Sequence, residues 1–432
     1  MIAIGLAAYV YIYEIKGGEE RQKAKESAEK LFDFPKDSIN FLAVNSPKGS
    51  FVFEKKEKWR ITSPVQTAAD ESNINVLLNT LTSTKKTKTF SIKADKRSSY
   101  GLHNNAITIK FKSAAGNEHS VTLGENTSIG SNLYASIEDT VVHLIANSIR
   151  NQANKSLFDW RDKKAVHFKR NAVREIRLKN PKGSFAFEKT GSDWVIKEPM
   201  QTRADNSKIN TLLNKLQNGN INSVVSEKSE KLKKYGLSGP AYVVELFSGD
   251  EKAKTEVVFS SLKGNKAHGK DGVRPHIFTV DSTFLKPFRY GLFDFRDKKF
   301  AKFESAPADS ISMFYKDSLM CFVKDSLNKW IFSTGEKAKS WQVRNILSTI
   351  SNLQARKFVA EKPDNLKAYG LEQPAGSIKI FAGNVELCQL NTGKEQGKHV
   401  YAKSSLSPAV VKIDAEKLDR LFLKKADLLD KK

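Results

Sequence analysis

The chain has 432 residues but contains only two cysteines, seven histidines and four methionines. Its histidines form no His-x-x-x-His pair and its cysteines form no Cys-x-x-Cys pair, so the spacing typical of a zinc site is missing. A phosphate-binding Gly-x-x-x-x-Gly-Lys-Ser/Thr loop and the Gly-x-Ser-x-Gly turn of hydrolases are missing as well. We therefore predict no catalytic, cofactor-binding or metal-binding residue, no cofactor, and a protein that is not an enzyme.

The few isolated candidate residues favour structural roles. Cys321 and Cys388 leave two alternatives open, one disulfide if the chain is exported or two free thiols. His268 and His276 flank Asp271 in a glycine-rich stretch, which could form a surface metal site. We expect a mobile loop there instead.

The sequence also lacks a long hydrophobic run. Ile2 to Tyr13 are uncharged and largely apolar, but a membrane-spanning helix needs about 20 such residues. No basic segment precedes this run, as it would in a signal peptide. We interpret residues 1–15 as a partial N-terminal membrane anchor, with a signal peptide and a buried or interfacial segment as alternatives. Residues 16–35 are rich in Lys, Glu, Arg and Ala and are predicted to form a polar helical stalk.

Acidic residues are outnumbered, since 48 Asp and Glu stand against 72 Lys and Arg and the formal net charge is +24. Such a charge favours attraction to anionic lipid or an anionic envelope polymer. The alternative is a lysine-rich solvated exterior, because the basic residues are spread along the chain with acids between them. No dense basic block carries interleaved aromatic residues, so no nucleic acid is expected as a partner.

What the sequence does contain is a threefold internal repeat. Trp59, Trp194 and Trp330 recur about 135 residues apart, and a Tyr-Gly-Leu phrase recurs with them. This period is far longer than the 20–50 residues of solenoid units, so each copy should be a small domain with its own core. The predicted organisation is repeat module 1 at 36–165, repeat module 2 at 166–300, a divergent repeat module 3 at 301–425, and a tail at 426–432.

In each copy, apolar residues at positions i, i+3, i+4 and i+7 predict one amphipathic helix. The three apolar stripes are Ile74, Leu77, Leu78 and Leu81, then Ile209, Leu212, Leu213 and Leu216, then Val343, Ile346, Leu347 and Ile350. Asp70, Asp205 and Ser340 stand just before these helices and are predicted to be their N-caps.

Short alternating stretches before and after this helix predict strands. In the second copy they lie at residues 175–178, 184–188 and 193–196. The glycines of the Tyr-Gly-Leu phrases, Gly101, Gly236 and Gly370, are predicted to adopt a positive φ at a turn. The predicted fold class is therefore α+β, with three tandem repeats of about 135 residues, each a mainly antiparallel sheet with one or two packed amphipathic helices.

One charged cluster recurs in the chain. It consists of Asp159, Arg161 and Asp162 in the first copy and of Asp294, Arg296 and Asp297 in the second. Carboxylates this close could take part in acid–base chemistry, but the tandem recurrence favours an interface or salt-bridge role.

The cluster lies in the phrase Leu-Phe-Asp-(Trp/Phe)-Arg-Asp-Lys-Lys, which closes copies one and two. We expect its Leu-Phe pair either to enter the neighbouring domain or to complete the local core, with Arg-Asp-Lys facing water. Leu31-Phe32 and Leu421-Phe422 look like further copies of the phrase.

These motifs resemble, in order, a bacterial family known as the domain of unknown function 4340. The matching residues of copy one are Trp59, Pro64, Ala69, Asp70, Leu77, Leu78, Tyr100, Gly101, Leu102, Leu123 and Gly124. Those of copy two are Trp194, Pro199, Ala204, Asp205, Leu212, Leu213, Tyr235, Gly236 and Leu237. Copy three keeps Trp330 and Tyr369-Gly370-Leu371 but lacks the Pro and Ala-Asp steps.

The resemblance implies one N-terminal anchor and an association with ABC-type transport systems similar to those of gliding motility, and it transfers no catalytic residue. We therefore expect a single-pass protein of the cell membrane with its repeats on the extracytoplasmic (periplasmic) side. It would act as a non-enzymatic accessory or scaffold, with ABC-type transporter subunits as partners. The alternative is an extracytoplasmic binding module for an anionic polymer or lipid, which predicts Lys and Arg clustered on one side. A hydrolase would need convergent carboxylates, which the sequence does not show.

Overall fold

A computed structural model describes residues 17–113 and 116–430 of the chain. The predicted anchor, residues 1–15, lies outside the described residues. Within them, every helix is too short or too polar to cross a membrane.

The strands form three antiparallel sheets, the first of nine strands. These are β1 (Ile39–Ser46), β2 (Gly49–Lys55), β3 (Trp59–Ser63), β4 (Thr67–Ala68), β5 (Lys88–Ser91), β6 (Ile107–Ser113), β7 (Glu118–Asn126), β8 (Asn132–Ser136) and β9 (Val141–Ala146). Their order is β4-β3-β2-β1-β6-β7-β8-β9-β5. Strand β1 therefore lies near the middle. Consecutive hairpins connect β1 to β4 on one side and β6 to β9 on the other, and β5 pairs with β9 at the far edge.

The second sheet repeats this order with nine strands of its own. They are β10 (Val173–Asn180), β11 (Gly183–Thr190), β12 (Asp193–Glu198), β13 (Thr202–Arg203), β14 (Ser223–Ser226), β15 (Tyr242–Ser248), β16 (Ala253–Phe259), β17 (Lys266–Asp271) and β18 (Ile277–Asp281).

The third sheet has eight strands, because it lacks a counterpart of the short β4 and β13. They are β19 (Ser310–Tyr315), β20 (Ser318–Lys324), β21 (Trp330–Phe332), β22 (Lys357–Ala360), β23 (Gly376–Ala382), β24 (Val385–Gln396), β25 (His399–Ser404) and β26 (Val410–Asp414). The missing strand falls where copy three lacks the Pro and Ala-Asp steps.

Ten α-helices accompany the sheets in the described part of the chain. They are α1 (Gly17–Glu29), α2 (Glu71–Ser83), α3 (Ser148–Ala153), α4 (Leu157–Trp160), α5 (Asn206–Asn218), α6 (Ser282–Leu285), α7 (Leu292–Phe295), α8 (Ser340–Ser351), α9 (Leu418–Leu421) and α10 (Lys425–Leu428). Three antiparallel sheets with a smaller share of helix agree with the predicted α+β class.

The three amphipathic helices are α2, α5 and α8, and all twelve residues of the predicted apolar stripes are buried. The N-cap prediction is confirmed for Asp70, whose carboxylate accepts the Asn73 N–H at 3.0 Å. It is wrong for Ser340, which is the first residue of α8. Ser340 Oγ instead accepts the backbone N–H of Trp330 at 3.0 Å and so ties the helix to β21.

The described residues divide into two compact units. The first comprises residues up to 165 together with 219–235 and 268–280, and the second comprises 166–218, 236–267 and the residues from 281 onward. The module boundaries predicted from the sequence stay a prediction.

Parts of the predicted stalk and tail belong to hydrophobic cores. Helix α1 ends at Glu29, and Leu31 and Phe32 are buried in the core of the first sheet. Leu428, in the segment predicted as a tail, is fully buried in the core of the third sheet. Residues beyond both expected boundaries therefore contribute to folding.

The Tyr-Gly-Leu phrases form sharp turns, as predicted. Gly101, Gly236 and Gly370 have φ values of 71°, 70° and 67°. In the first copy, this turn lies directly against Gly124 of β7, where a Cβ would collide with the carbonyl oxygen of Tyr100. Only a glycine allows this close approach of the two backbones.

We predict that Gly124→Ala lowers the free energy of unfolding by about 1–3 kcal/mol, because the added methyl group forces the two segments apart. Urea denaturation of the full chain in detergent measures this. Gly239→Ala is the control, since a Cβ there meets no atom within 4 Å. Equal stability of the two variants would contradict the packing argument.

Candidate functional site

The closing phrase of each repeat forms a short helix whose last residue fills the core. Trp160, Phe295 and Leu428 end α4, α7 and α10, and each is 0% exposed. The backbone N–H groups of Asp70, Asp205 and Lys339 donate to these three residues' carbonyl oxygens at 2.7, 2.7 and 2.8 Å. The three positions are therefore equivalent.

This equivalence corrects two sequence interpretations. The third copy of the phrase is Lys425 to Asp430, and not Leu421-Phe422, because the bridge Ala338↔Leu429 matches Ala69↔Arg161 and Ala204↔Arg296. Leu31-Phe32 is not a copy either. The bridge Lys30↔Lys85 matches Lys164↔Asn220, so Leu31 corresponds to Ala165, after the phrase.

The residue after each core-filling aromatic is a buried arginine. Arg161 is 1% exposed, and its Nη2 donates to both carboxylate oxygens of Glu227 at 2.7 and 2.9 Å. The expectation that Arg-Asp-Lys faces water is wrong for the arginine. Its aliphatic stem and guanidinium are enclosed, and the charge is compensated by a glutamate from the following repeat.

The second junction repeats this arrangement. Arg296 Nη1 donates to both oxygens of Glu361 at 2.7 and 2.9 Å, and the guanidinium lies 3.4 Å from the centre of the Phe358 ring. A planar guanidinium suits this combination of a carboxylate contact and an aromatic face. The third repeat has Leu429 at the arginine position, and the first has Ile92 at the glutamate position.

The carboxylates of the recurring cluster accept hydrogen bonds from nearby backbone N–H groups. Asp159 accepts hydrogen bonds from the Ser156 hydroxyl at 2.6 Å and from the Ser156 backbone N–H at 2.9 Å, and these two bonds hold the pKa of Asp159 below its usual value. Asp294 accepts the Gly291 N–H at 2.9 Å, and Asp297 accepts the Lys299 N–H at 3.0 Å. The salt-bridge role predicted for this cluster agrees with the two arginine pairs.

The stretch predicted as a mobile loop around His268 and His276 is instead ordered, and that prediction is wrong. Residues 266–271 form strand β17, and the buried Asp271 pairs with Arg274. Arg274 also donates to the carbonyl oxygens of Lys164 and Ala165 at 2.8 Å. This turn therefore ties the second repeat to the end of the first, within the first compact unit.

His276 lies beside this turn and is 3% exposed. Burial lowers its pKa to about 4, and the positive charges of Arg274 and Arg161 act in the same direction. Asp271 and Asp162 act in the opposite direction but do not prevail. The imidazole is therefore neutral near pH 7.

The described residues contain neither a metal-binding cluster nor a disulfide bond. No group of three or more His, Cys, Asp or Glu side chains there is placed to hold a metal ion. Cys321 and Cys388 are free thiols, the first partly exposed on β20 and the second buried. Burial raises the pKa of the Cys388 thiol.

A surface that the sequence analysis missed lies on the outer side of the third sheet. Phe314 on β19 and Leu319 on β20 are cross-strand partners and are 37% and 64% exposed. Cys321 and Val323 continue the row along β20, and Ile331 of β21 pairs with Val323. We call these five residues the third-sheet face.

Three of these five positions, those of Phe314, Leu319 and Val323, are polar in both of the other sheets. The position of Cys321 is apolar there as well, with Val52 and Ala186, and that of Ile331 is occupied by Arg60 and Val195. Hairpin register places Asn45 and Ser50 in the first sheet, and Lys179 and Ser184 in the second, where the third has Phe314 and Leu319. Glu54 and Glu188 similarly occupy the position of Val323. Aligning the three repeats by their hairpins gives this difference, whereas composition alone does not.

The comparisons with known proteins give one family. Its model, described as "Domain of unknown function (DUF4340)", matches residues 59–193, 194–342 and 330–432, so each match begins at one of the three repeating tryptophans. No curated protein matches the chain. The crystal structure of DNA polymerase sliding clamp from Pseudomonas aeruginosa with ligand aligns at 7% identity over 90% of this chain and 94% of that chain. Its TM-score of 0.15 is too low to support a shared fold.

We predict that Glu361→Ala destabilises the chain by about 1–3 kcal/mol, because it leaves the buried Arg296 guanidinium without its counter-charge. In an Arg296→Leu background, which copies Leu429, the same change should cost less than about 0.5 kcal/mol. Urea denaturation of the four proteins measures this cycle. An equal cost in both backgrounds would show that the pair is not coupled.

His276 generates a pH prediction. Because its folded pKa of about 4 lies below the unfolded value near 6.5, protonation favours unfolding. The stability it contributes is complete above pH 6.5 and is lost as the pH falls towards 4, by at most about 1.4 kcal/mol per pH unit. We expect His276→Gln to flatten this part of the pH–stability curve. If the wild type and the variant lost stability with the same slope between pH 6.5 and pH 4, His276 would not be the titrating group.

Proposed function

The chain belongs to the family described as domain of unknown function DUF4340, and from this premise we propose that it is a membrane-anchored, non-enzymatic accessory or scaffold protein of an ABC-type transport system. In this proposal the three repeats lie on the extracytoplasmic side and present a binding surface to a transporter subunit. The observation that carries it is the third-sheet face.

An exposed row of apolar residues on a sheet face favours a protein partner. Phe314, Leu319 and Val323 leave apolar surface in water, which is unfavourable by roughly 25 cal/mol per Å² unless another surface covers it. The same positions in the other two sheets carry Asn, Lys, Ser and Glu, so the fold itself does not require apolar residues there. A function restricted to the third repeat explains the difference.

The junctions support the scaffold part of the proposal. Arg161 with Glu227, and Arg296 with Glu361, fix each repeat to a strand end of the next. Both arginines are buried while their glutamates are 42% and 44% exposed, so solvent screens these contacts less than it screens an ion pair with both partners exposed. Repeats connected in this way can hold a docking face at a set position relative to their neighbours.

We predict that Phe314→Asn combined with Leu319→Ser and Val323→Glu abolishes recovery of transporter subunits with this protein. The three residues introduced are those of the first sheet, Asn45, Ser50 and Glu54, so the fold already tolerates them at these positions. The measurement is crosslinking in cells that express the complete protein, followed by extraction and quantitative mass spectrometry of ABC permease and ATPase subunits.

The matched control is Lys179→Asn on the second sheet, which should leave the recovery unchanged. Recovery of transporter subunits that is equal for the triple variant and the wild type would remove the third-sheet face from the proposal. Failure to recover any transporter subunit with the wild-type protein would contradict the accessory function itself.

A further inference from the structure

A groove of about 790 Å³ in the second compact unit collects an unusual number of cations. Its walls come from the start of α5, the end of the closing phrase of repeat two and the segment that leads into β22. The charged lining residues are Lys208, Lys298, Lys299, Lys302, Arg356, Asp205 and Asp297.

Both carboxylates of the groove are already engaged. Asp205 accepts the backbone N–H of Ser207 at 2.9 Å. Asp297 accepts the N–H of Lys299 at 3.0 Å and lies 3.6 Å from Arg203 Nε. Both carboxylates therefore interact with backbone N–H groups, and Asp297 also interacts with Arg203. These contacts reduce how strongly the two negative charges can balance the five cations of the groove.

Two of the cations also have fixed partners. Arg356 donates to both oxygens of Asp414, at distances between 2.6 and 3.0 Å. Lys299 Nζ donates to the side-chain oxygen of Asn352 at 2.7 Å. These two residues shape the wall and contribute to the potential of the groove.

The other three cations, Lys208, Lys298 and Lys302, form no ion pair with a carboxylate among the described residues. Lys298 is partly buried, and its ammonium donates only to the carbonyl oxygens of Asp294 and Arg296, at 3.3 and 3.5 Å. Lys298 Nζ lies 4.9 Å from the centre of the Phe293 ring, and Lys208 Nζ lies 5.2 Å from that of Tyr290. Burial lowers the pKa of Lys298, although the nearby carboxylates of Asp205, Asp294 and Asp297 act in the opposite direction. A bound anion in the groove would add to their effect and favour the charged ammonium.

The first junction provides an internal comparison, because the same backbone contacts recur there. The carbonyl of Lys163 accepts the Ile221 N–H, and the carbonyl of Lys298 accepts the Ala355 N–H, at 2.8 and 2.9 Å. Lys163, the counterpart of Lys298, forms an ion pair with Asp70 at 3.2 Å. Of these two equivalent lysines, only Lys163 is within ion-pair distance of a carboxylate in the described part of the chain.

Four substitutions between the two junctions all shift the charge in the same direction. From the first junction to the second, the changes are Glu71 to Asn206, Asn73 to Lys208, His167 to Lys302 and Asn222 to Arg356. A lysine-rich exterior without a ligand would have no reason to differ so consistently between two copies of one structure. The charge is concentrated where a groove can enclose a ligand.

We propose that this groove binds a phosphate-bearing anion, with Lys208, Lys298 and Lys302 as its direct contacts. A phosphate group carries more than one negative charge at neutral pH and offers several acceptor oxygens, which matches three separate ammonium groups better than a carboxylate does. The phosphate can belong to a lipid headgroup or to a free solute. The inference does not depend on the accessory function proposed above.

The test uses the complete chain in detergent and sodium pyrophosphate as the probe, with the affinity measured by isothermal titration calorimetry. We expect Lys208→Asn combined with Lys302→His to weaken binding at least tenfold. These are the residues of the first junction, so folding is expected to be retained, and the urea unfolding midpoint verifies it. The matched charge control adds Asn73→Lys and His167→Lys to this double variant. It returns the two positive charges to the chain at the first junction, and we expect it not to restore binding.

A second arm distinguishes the sources of the phosphate. Flotation with vesicles of phosphatidylglycerol, compared with vesicles of phosphatidylcholine, reports binding to an anionic headgroup. Loss of vesicle binding in the double variant assigns the groove to lipid, and pyrophosphate binding without vesicle binding assigns it to a free phosphate compound. If pyrophosphate binds the wild type and the folded double variant equally, or binds neither, the groove is not the site and the proposal is overturned.

Discussion

A buried guanidinium paired with a glutamate 65 or 66 residues later is the contact on which the register between repeats depends. Arg161 and Arg296 directly follow the aromatic residue that closes the core of their own repeat. Each charge is compensated by a carboxylate of the next repeat, so loss of that carboxylate would leave the arginine buried without a counter-charge. Hydrophobic packing builds the separate sheets, and each ion pair joins the end of one repeat to the residue that follows β14 or β22 of the next.

The repeats share a core and differ on their surfaces. The buried stripes of α2, α5 and α8 keep the same spacing, and the first and second sheets have the same strand order. Two differences lie on surfaces that a partner could reach: an apolar row on the outer side of the third sheet, and lysines without an ion pair at the groove of the second junction. Because the cores are equivalent, the surfaces can diverge without a change of fold, and we infer that function resides in these differences.

Periodicity and turn chemistry predicted most of the local structure. The helices, the glycine turns and the hairpin strands depend on contacts between residues close in sequence, which patterns of apolar residues report directly. Glu227 and Glu361 lie too far along the chain from Arg161 and Arg296 for such patterns to pair them. The only sequence signal is that repeat three has Leu429 in place of the arginine and repeat one has Ile92 in place of the glutamate. The Ser340 cap was misplaced by one residue, because Ser340 bonds to a strand rather than to its own helix. Where a mobile loop was expected, residues 266–271 form β17, and the buried Asp271 at its end pairs with Arg274 in the following turn. Glycine content does not reveal such a contact.

The central claim is that the third-sheet face is covered by a transporter subunit in the cell. The most direct measurement places a photo-crosslinking amino acid at position 319 of the complete protein in living cells, with position 184 of the second sheet as the matched site. The account predicts a crosslink to an ABC permease or ATPase subunit from position 319 and none from position 184. Equal labelling from the two sites, or labelling by lipid alone at position 319, would contradict it.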